Sequence, residues 1–219
     1  MNDFKNKLVI VTGGSNGNGK KIVEQFLNNG ARVYNLDKKI SKTKKNLISL
    51  QINLGNVSEI ENFVNTFKKK EKKLFCLVNN AGVSLDIKKY NYLDYWNKTI
   101  NTNLRSSYIL SILLKDCLKK ENKANIINIS SISAKIAMSG NPAYNISKAG
   151  LVALTKSLAF DYEKENIRVN SISPGYIKTN MTKKSFNSKK LFKKRIDRMM
   201  IKKYGESDDI ANLVMFLAS

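Results

Sequence analysis

The stretch Thr12-Gly13-Gly14-Ser15-Asn16-Gly17-Asn18-Gly19 constrains this chain more than any other. Before it, Lys7 to Val11 reads as a short buried strand; after it comes a helical pattern (Ile22, Val23, Phe26, Leu27) ending at Gly30. Ala31 to Leu36 is a second apolar run, closed by Asp37. Strand, glycine loop, helix, strand and acid in that order make a βαβ unit, which opens a parallel sheet. In such a unit Gly13 permits the tight turn, Gly17 lets the backbone approach a pyrophosphate, and Gly19 allows close helix–strand packing. The free N–H groups and positive dipole end of the helix then face the phosphates. Asp37, about twenty residues on, suits the 2′-hydroxyl of an adenosine ribose and repels a 2′-phosphate, favouring NAD over NADP. Lys38 and Lys39 soften that repulsion and keep NADP open, and a strand-end turn is an equally ordinary place for an aspartate. A Walker A reading of Gly14 to Lys20 fails at the next position, where Lys21 stands in place of the magnesium-binding Ser or Thr.

The alternation continues. Leu47 to Asn53, Leu74 to Val78, Ala124 to Ile129 and Ile167 to Ile172 read as strands. Glu59 to Phe67, one long segment from Tyr95 to Leu118, and Ala143 to Tyr162 read as helices. This predicts one doubly wound α/β domain of Rossmann type over residues 1–219, with helices on both faces of a parallel sheet. Residues 1–180 are its cofactor and catalytic core, 181–205 a lysine-rich helical segment on the substrate side, and 206–219 a final helix. Ligands on such sheets bind beyond the carboxyl ends of the strands, so Asp37, Asn80, Ser131 and Pro174 are expected to converge.

Tyr144 and Lys148 stand four apart on a helix that Asn141 would cap, with Pro142 at its first position, so they share one face. A phenol titrates near ~10, and a neighbouring ammonium favours the phenolate. The pair is a proton-transfer device, although such spacing also arises by chance on helix surfaces. Histidine is absent, which excludes Ser-His-Asp and Cys-His catalysis and His-based metal sites; no metal is called for. The net charge of +22 is carried mainly by lysines scattered along the chain. With so little arginine for bidentate base readout, that pattern predicts salt-sensitive sticking to polyanions and no specific nucleic-acid recognition. Cys76 and Cys117 lie in apolar settings and read as reduced core residues of a cytoplasmic protein. No secretory leader precedes the first strand. No apolar run approaches the ~18 to 20 residues of a membrane span.

Thr12-Gly-x-x-x-Gly-x-Gly19, Asn79-Asn-Ala-Gly82, Asn103, Ser131, Tyr144-x-x-x-Lys148 and Pro174-Gly175 resemble, in order and spacing, the short-chain dehydrogenases/reductases over nearly the whole chain. Within that family the segment Pro174 to Met181 and the ending Ile210 to Ser219 are most similar to the 3-oxoacyl-carrier-protein reductase and sugar-alcohol dehydrogenase group. The resemblance implies hydride transfer between a nicotinamide and a secondary alcohol or ketone. Tyr144 would be the general acid/base, Lys148 would lower its pKa and hold the nicotinamide ribose, Ser131 would hold the substrate oxygen, and Asn103 would support a proton-relay water. Gly13, Ser15, Asn16, Gly17, Asn18, Gly19, Asp37, Asn53, Leu54, Asn80, Ala81, Gly82, Tyr144, Lys148, Pro174, Gly175, Ile177 and Thr179 would bind the cofactor.

The chain departs from the family pattern at Asn18, where an aliphatic residue is usual, and at Asn53, where an aspartate is usual. Family members also continue past Phe216-Leu217-Ala218-Ser219 into a last strand, so an open sheet edge and a homodimer are expected, with a tetramer disfavoured. Two other readings stay open. The first is reduction of 3-oxoacyl groups on an acidic carrier docked by the basic run from Lys183 to Lys203; the second is a dinucleotide-binding or interaction protein without turnover.

Overall fold

Apolar residues alternate across the central strand β1 (Leu8–Thr12): Leu8 and Ile10 belong to one hydrophobic core, Val9 and Val11 to another. A strand buried on both faces is the mark of a parallel sheet covered on both sides. In the computed structural model, which describes residues 4–40, 43–136 and 138–219, β1 lies at the centre of that sheet. The other strands are β2 (Arg32–Asp37), β3 (Leu47–Gln51), β4 (Cys76–Asn79), β5 (Ala124–Ile129) and β6 (Ile167–Ile172). All pair in parallel in the order β3-β2-β1-β4-β5-β6. The chain reverses direction across the sheet between β1 and β4, which places the expected ligand crevice beyond their carboxyl ends.

On one face α1 (Gly17–Asn28) packs with α9 (Ser207–Ala218), joining Ile22, Val23 and Phe26 to Ile210, Ala211 and Val214. On the other, α2 (Val57–Lys70), α4 (Ser106–Leu113) and α6 (Pro142–Asp161) supply Ile60, Phe63, Leu110 and Leu158 to the second core. The Rossmann-type expectation holds. Among the described residues β6 pairs with β5 alone and so forms a sheet edge. Beside it Arg168 Nη2 donates to the carbonyls of Leu217 (2.9 Å) and Ser219 (2.7 Å), satisfying acceptors at the end of α9.

The single helix expected from Tyr95 to Leu118 is broken. It becomes α3 (Tyr92–Ile100), a π turn over Asn101–Arg105, α4, and, after Leu114, a short α5 (Lys115–Lys119). Hydroxyls cause part of this: Ser106 Oγ donates to Thr102 O and Ser111 Oγ to Ser107 O, each at 2.7 Å, competing for helix carbonyls. The substrate-side segment holds two short helices, α7 (Lys183–Asn187) and α8 (Lys189–Ile196). It is anchored by Tyr204, which is buried and stacks on Phe192 with ring centroids 5.4 Å apart.

Phe26 is fully buried at the α1–α9 contact. Phe26→Ala is expected to cost about 3–5 kcal/mol of unfolding free energy, read as a lower urea midpoint with an unchanged slope.

Candidate active site

The glycine loop is stitched to the end of β4 by one hydroxyl. Thr12 Oγ1 accepts from the N–H groups of Asn80 and Ala81, each at 3.0 Å. Asn80 Nδ2 returns two bonds, to the carbonyls of Thr12 (2.9 Å) and Gly13 (3.1 Å). Gly19 is obligatory for this closure: a Cβ there would lie 2.1 Å from the Gly13 carbonyl oxygen and 2.4 Å from Asn80 Nδ2. Its neighbours are the loop and Asn80, where the sequence suggested a strand. Gly17 takes a left-handed φ of +51° at the first residue of α1. That helix has no side-chain cap bond and no acid in its first turn, so its positive end is left for an anion.

These residues open onto a cleft of about 370 Å³ that runs from Asp37 past the loop to Tyr144 and Lys148. Gly13, Asn16, Gly17, Asn18, Gly19, Asp37, Leu54, Asn80, Ala81, Gly82, Pro174, Gly175, Ile177 and Thr179 all line it, as do Ser131, Tyr144 and Lys148. Three predicted site residues do not. Ser15 turns its hydroxyl to the Lys39 carbonyl while its N–H donates to Asp37 Oδ2 (3.0 Å). Asn53 folds back, its Oδ1 accepting from Gly55 N (3.1 Å). Asn103 is wholly buried behind the cleft wall. Lining positions the sequence did not single out include Ile52, after β3, and Thr102, within the π turn.

A nicotinamide dinucleotide fits this donor set. An uncapped helix end follows the glycine loop, Gly17 there takes a left-handed φ, and a carboxylate stands at the far end of the cleft. Asn18 Oδ1, on a residue lining the cleft, is buried without a protein partner.

At the other end, Ser131 caps the turn after β5, its Oγ accepting from Ser133 N (3.1 Å). Its hydroxyl also hydrogen-bonds Tyr144 and draws the phenol's pKa down, but burial outweighs this and holds Tyr144 above its usual value. Lys148 Nζ donates to the Ile129 carbonyl (2.8 Å) and sits 5.7 Å from the Tyr144 ring centroid. Burial lowers this amine to about 8. In the protein without a dinucleotide, burial sets the direction of the Tyr144 shift. Desolvation weakens the amine's charge as it raises the phenol, and the amine spends a proton on a backbone carbonyl.

Asn103 clamps Val83, accepting from its N–H (2.7 Å) and donating to its carbonyl (2.9 Å). It also donates to Ser147 Oγ (3.1 Å), whose hydroxyl donates to the Tyr144 carbonyl (2.7 Å). Ser147, one turn beyond Tyr144, was not foreseen; only its spacing of three from Tyr144 marks it in the sequence.

A half-buried phenol over a buried amine, joined to a dinucleotide-shaped cleft on a doubly wound sheet, points to a nicotinamide-dependent oxidoreductase. Residues 7–190 match the family model described as short chain dehydrogenase, and the chain belongs to that family. It is 36% identical over 228 residues to a 3-oxoacyl-(acyl-carrier-protein) reductase of Chlamydia pneumoniae, covering 97% of this chain and 90% of that protein. Among solved structures it is similar to 4-hydroxyisoleucine dehydrogenase complexed with NADH, with a TM-score of 0.92, 32% identity, and coverage of 98% of this chain and 91% of the other. ElxO with NADP bound gives a TM-score of 0.86 at 28% identity, covering 98% and 92%. Among the described residues no cluster of metal-ligating side chains occurs, and no helix is long and apolar enough to cross a membrane.

Burial pushes the Lys148 amine down to about 8 in the fold from the ordinary 10.5, so the unfolded chain holds its proton more tightly. Stability therefore rises with pH between those two values and is flat outside them. Relative to Lys148→Met, the wild type is expected to gain about 3 kcal/mol over that window, read by urea denaturation at stepped pH.

Proposed function

We propose that this chain moves hydride between a nicotinamide and a secondary alcohol or ketone, with Tyr144 as the proton-transferring group. The observation that carries this reading is the meeting of Tyr144, Ser131 and Lys148 at the end of a cleft whose other end is built from the glycine loop and Asp37. A bound dinucleotide supplies the hydride acceptor or donor. In reduction the Tyr144 hydroxyl gives its proton to the substrate oxygen, and in oxidation the phenolate takes it back. Ser131, already bonded to Tyr144, holds the same oxygen and stabilises charge developing there. Lys148 holds the ribose and passes protons, a task suited to an amine lowered to about 8. Asn103 supports the proton path through Ser147 and the helix backbone rather than by facing the cleft. Ser15 and Asn53 act from behind the cofactor, by setting Asp37 and the turn at Gly55.

NAD is the preferred cofactor, because both Asp37 oxygens are fixed, by Ser15 N and Lys39 N, at the rim where a 2′-phosphate would arrive. Lys38 in the same wall keeps NADP usable. A second substrate reading is a 3-oxoacyl group on an acidic carrier protein, the substrate named for the Chlamydia pneumoniae relative. It is favoured by the charge of residues 181–203, where ten lysines and arginines face a single acid, Asp197. Here the positive excess is concentrated rather than evenly spread. A homodimer is favoured by the exposed Tyr108 and Ile112 on α4 and Phe160 on α6. Free, buried Cys76 and Cys117 suit the cytoplasm.

The test is a screen of ketones, secondary alcohols and carrier-bound 3-oxoacyl thioesters with NADH and NADPH, at low and high salt. Tyr144→Phe is expected to abolish turnover while NADH affinity stays within about twofold. Equal rates for the mutant and wild type would falsify the assignment. Asp37→Ser is expected to raise the NADPH-to-NADH ratio of kcat/KM by about tenfold or more.

A further inference from the structure

The residue in front of α6 departs from the role its position suggests. Asn141 stands at the N-cap, where a side-chain oxygen usually binds the first helical N–H groups, and makes no such bond. Both ends of its amide are committed elsewhere. Its Oδ1 accepts from the hydroxyl of Tyr95, a buried residue of α3, and its Nδ2 donates to Ser84 Oγ (2.8 Å). The helix carrying Tyr144 and Lys148 thus begins without a side-chain cap.

Ser84 closes a loop whose preceding residues, Gly82 and Val83, line the cleft. Two asparagines therefore grip neighbouring residues of one loop. Asn103 holds Val83 and reaches the Tyr144 carbonyl through Ser147, while Asn141 holds Ser84 from a point three residues ahead of Tyr144. One attachment lies a turn before Tyr144 and the other a turn after it. The first turn of α6 is thus fixed on both sides against the wall of the cleft, and through Tyr95 against α3.

Resting on the reading of Tyr144 as acid/base, we propose that Asn141, bridged to Tyr95 and Ser84, is a positioning residue that sets the angle at which the Tyr144 hydroxyl meets Ser131 and the substrate oxygen. A bound group and a proton-transfer partner must be aligned to within a fraction of an ångström, and a misplacement of about 1 Å costs on the order of a hundredfold in rate. The bridge does not touch the glycine loop, Asp37 or Asn80. Its loss is therefore felt in kcat and not in dinucleotide affinity.

Asn141→Leu removes both bonds at nearly constant volume. Asn141→Asp keeps an acceptor for the Tyr95 hydroxyl and offers a second to the Ser84 hydroxyl. Tyr95→Phe deletes one hydroxyl from the same bridge. With the substrate found by the screen, kcat of Asn141→Leu is expected to fall about tenfold or more, with NADH affinity within about twofold of wild type. Asn141→Asp should recover to within about threefold, and adding Tyr95→Phe to Asn141→Leu should cost little more, since the two act through one bridge. An Asn141→Leu protein with unchanged kcat, or a folded Asn141→Asp protein no faster than it, overturns the proposal. If Asn141→Leu does not fold, Tyr95→Phe decides on the same measurements: a lower kcat at unchanged NADH affinity supports the bridge, and an unchanged kcat overturns it. A wild type that turns over no carbonyl or alcohol instead overturns the reading of Tyr144, and the positioning role falls with it.

Discussion

A half-buried phenol and a buried amine one turn apart on α6, with Lys148 bonded to the carbonyl of Ile129, tie that helix to the end of β5. Much of the surrounding structure answers the needs of that contact. Ser130 Oγ donates to the Lys148 carbonyl (2.8 Å), so the strand end holds the same residue from a second side. Deeper in, Asn79 and Asn128 join across β4 and β5 (2.8 Å), and Asn128 passes on to Thr155, two turns further along α6. Polar groups at this depth stabilise the fold only when partnered: Asn79 Nδ2, both ends of the Asn128 amide and the Thr155 hydroxyl are, while Asn79 Oδ1 is not. The buried amine is costly in its charged form, and an amine lowered to about 8 is also one that exchanges protons readily near neutral pH.

The π turn at Asn101–Arg105 does related work from the opposite side. It places Asn103 where its amide reaches Val83 and Ser147 together. A regular α-helix through the same residues would keep the ladder continuous and turn this amide to another azimuth. Hydroxyl-to-carbonyl bonds from Ser106 and Ser111 help the chain tolerate the irregularity.

Fold and cofactor end were legible in the sequence because they depend on local chemistry. Strand, glycine loop, helix and acid are read from periodicity and from residues with one conformational use, which is enough for Gly13, Gly17, Gly19 and Asp37 and for Asn80 and Pro174 at strand ends; the other lining positions rested on family resemblance. What was not legible depends on neighbours distant in the chain. Asn141 looks like a cap, and only the arrival of Tyr95 and Ser84 diverts it. Asn53 and Ser15 match the pattern by position, yet Gly55 and Lys39 claim their polar atoms. The Tyr–Lys spacing reveals adjacency but not the degree of burial, and burial decides which way each group's affinity for protons moves.

The pairing of α1 with α9 has a consequence for how the protein is made. The helix behind the glycine loop is synthesised well before α9, but Ile22 and Phe26 are covered by Ile210 and Val214, with Lys21 reaching Asp208 (3.7 Å). Those partners emerge from the ribosome only after every strand of the sheet. Until then the nascent chain carries an uncovered greasy flank directly behind its nucleotide-binding turn, a surface for chaperones to shield during translation.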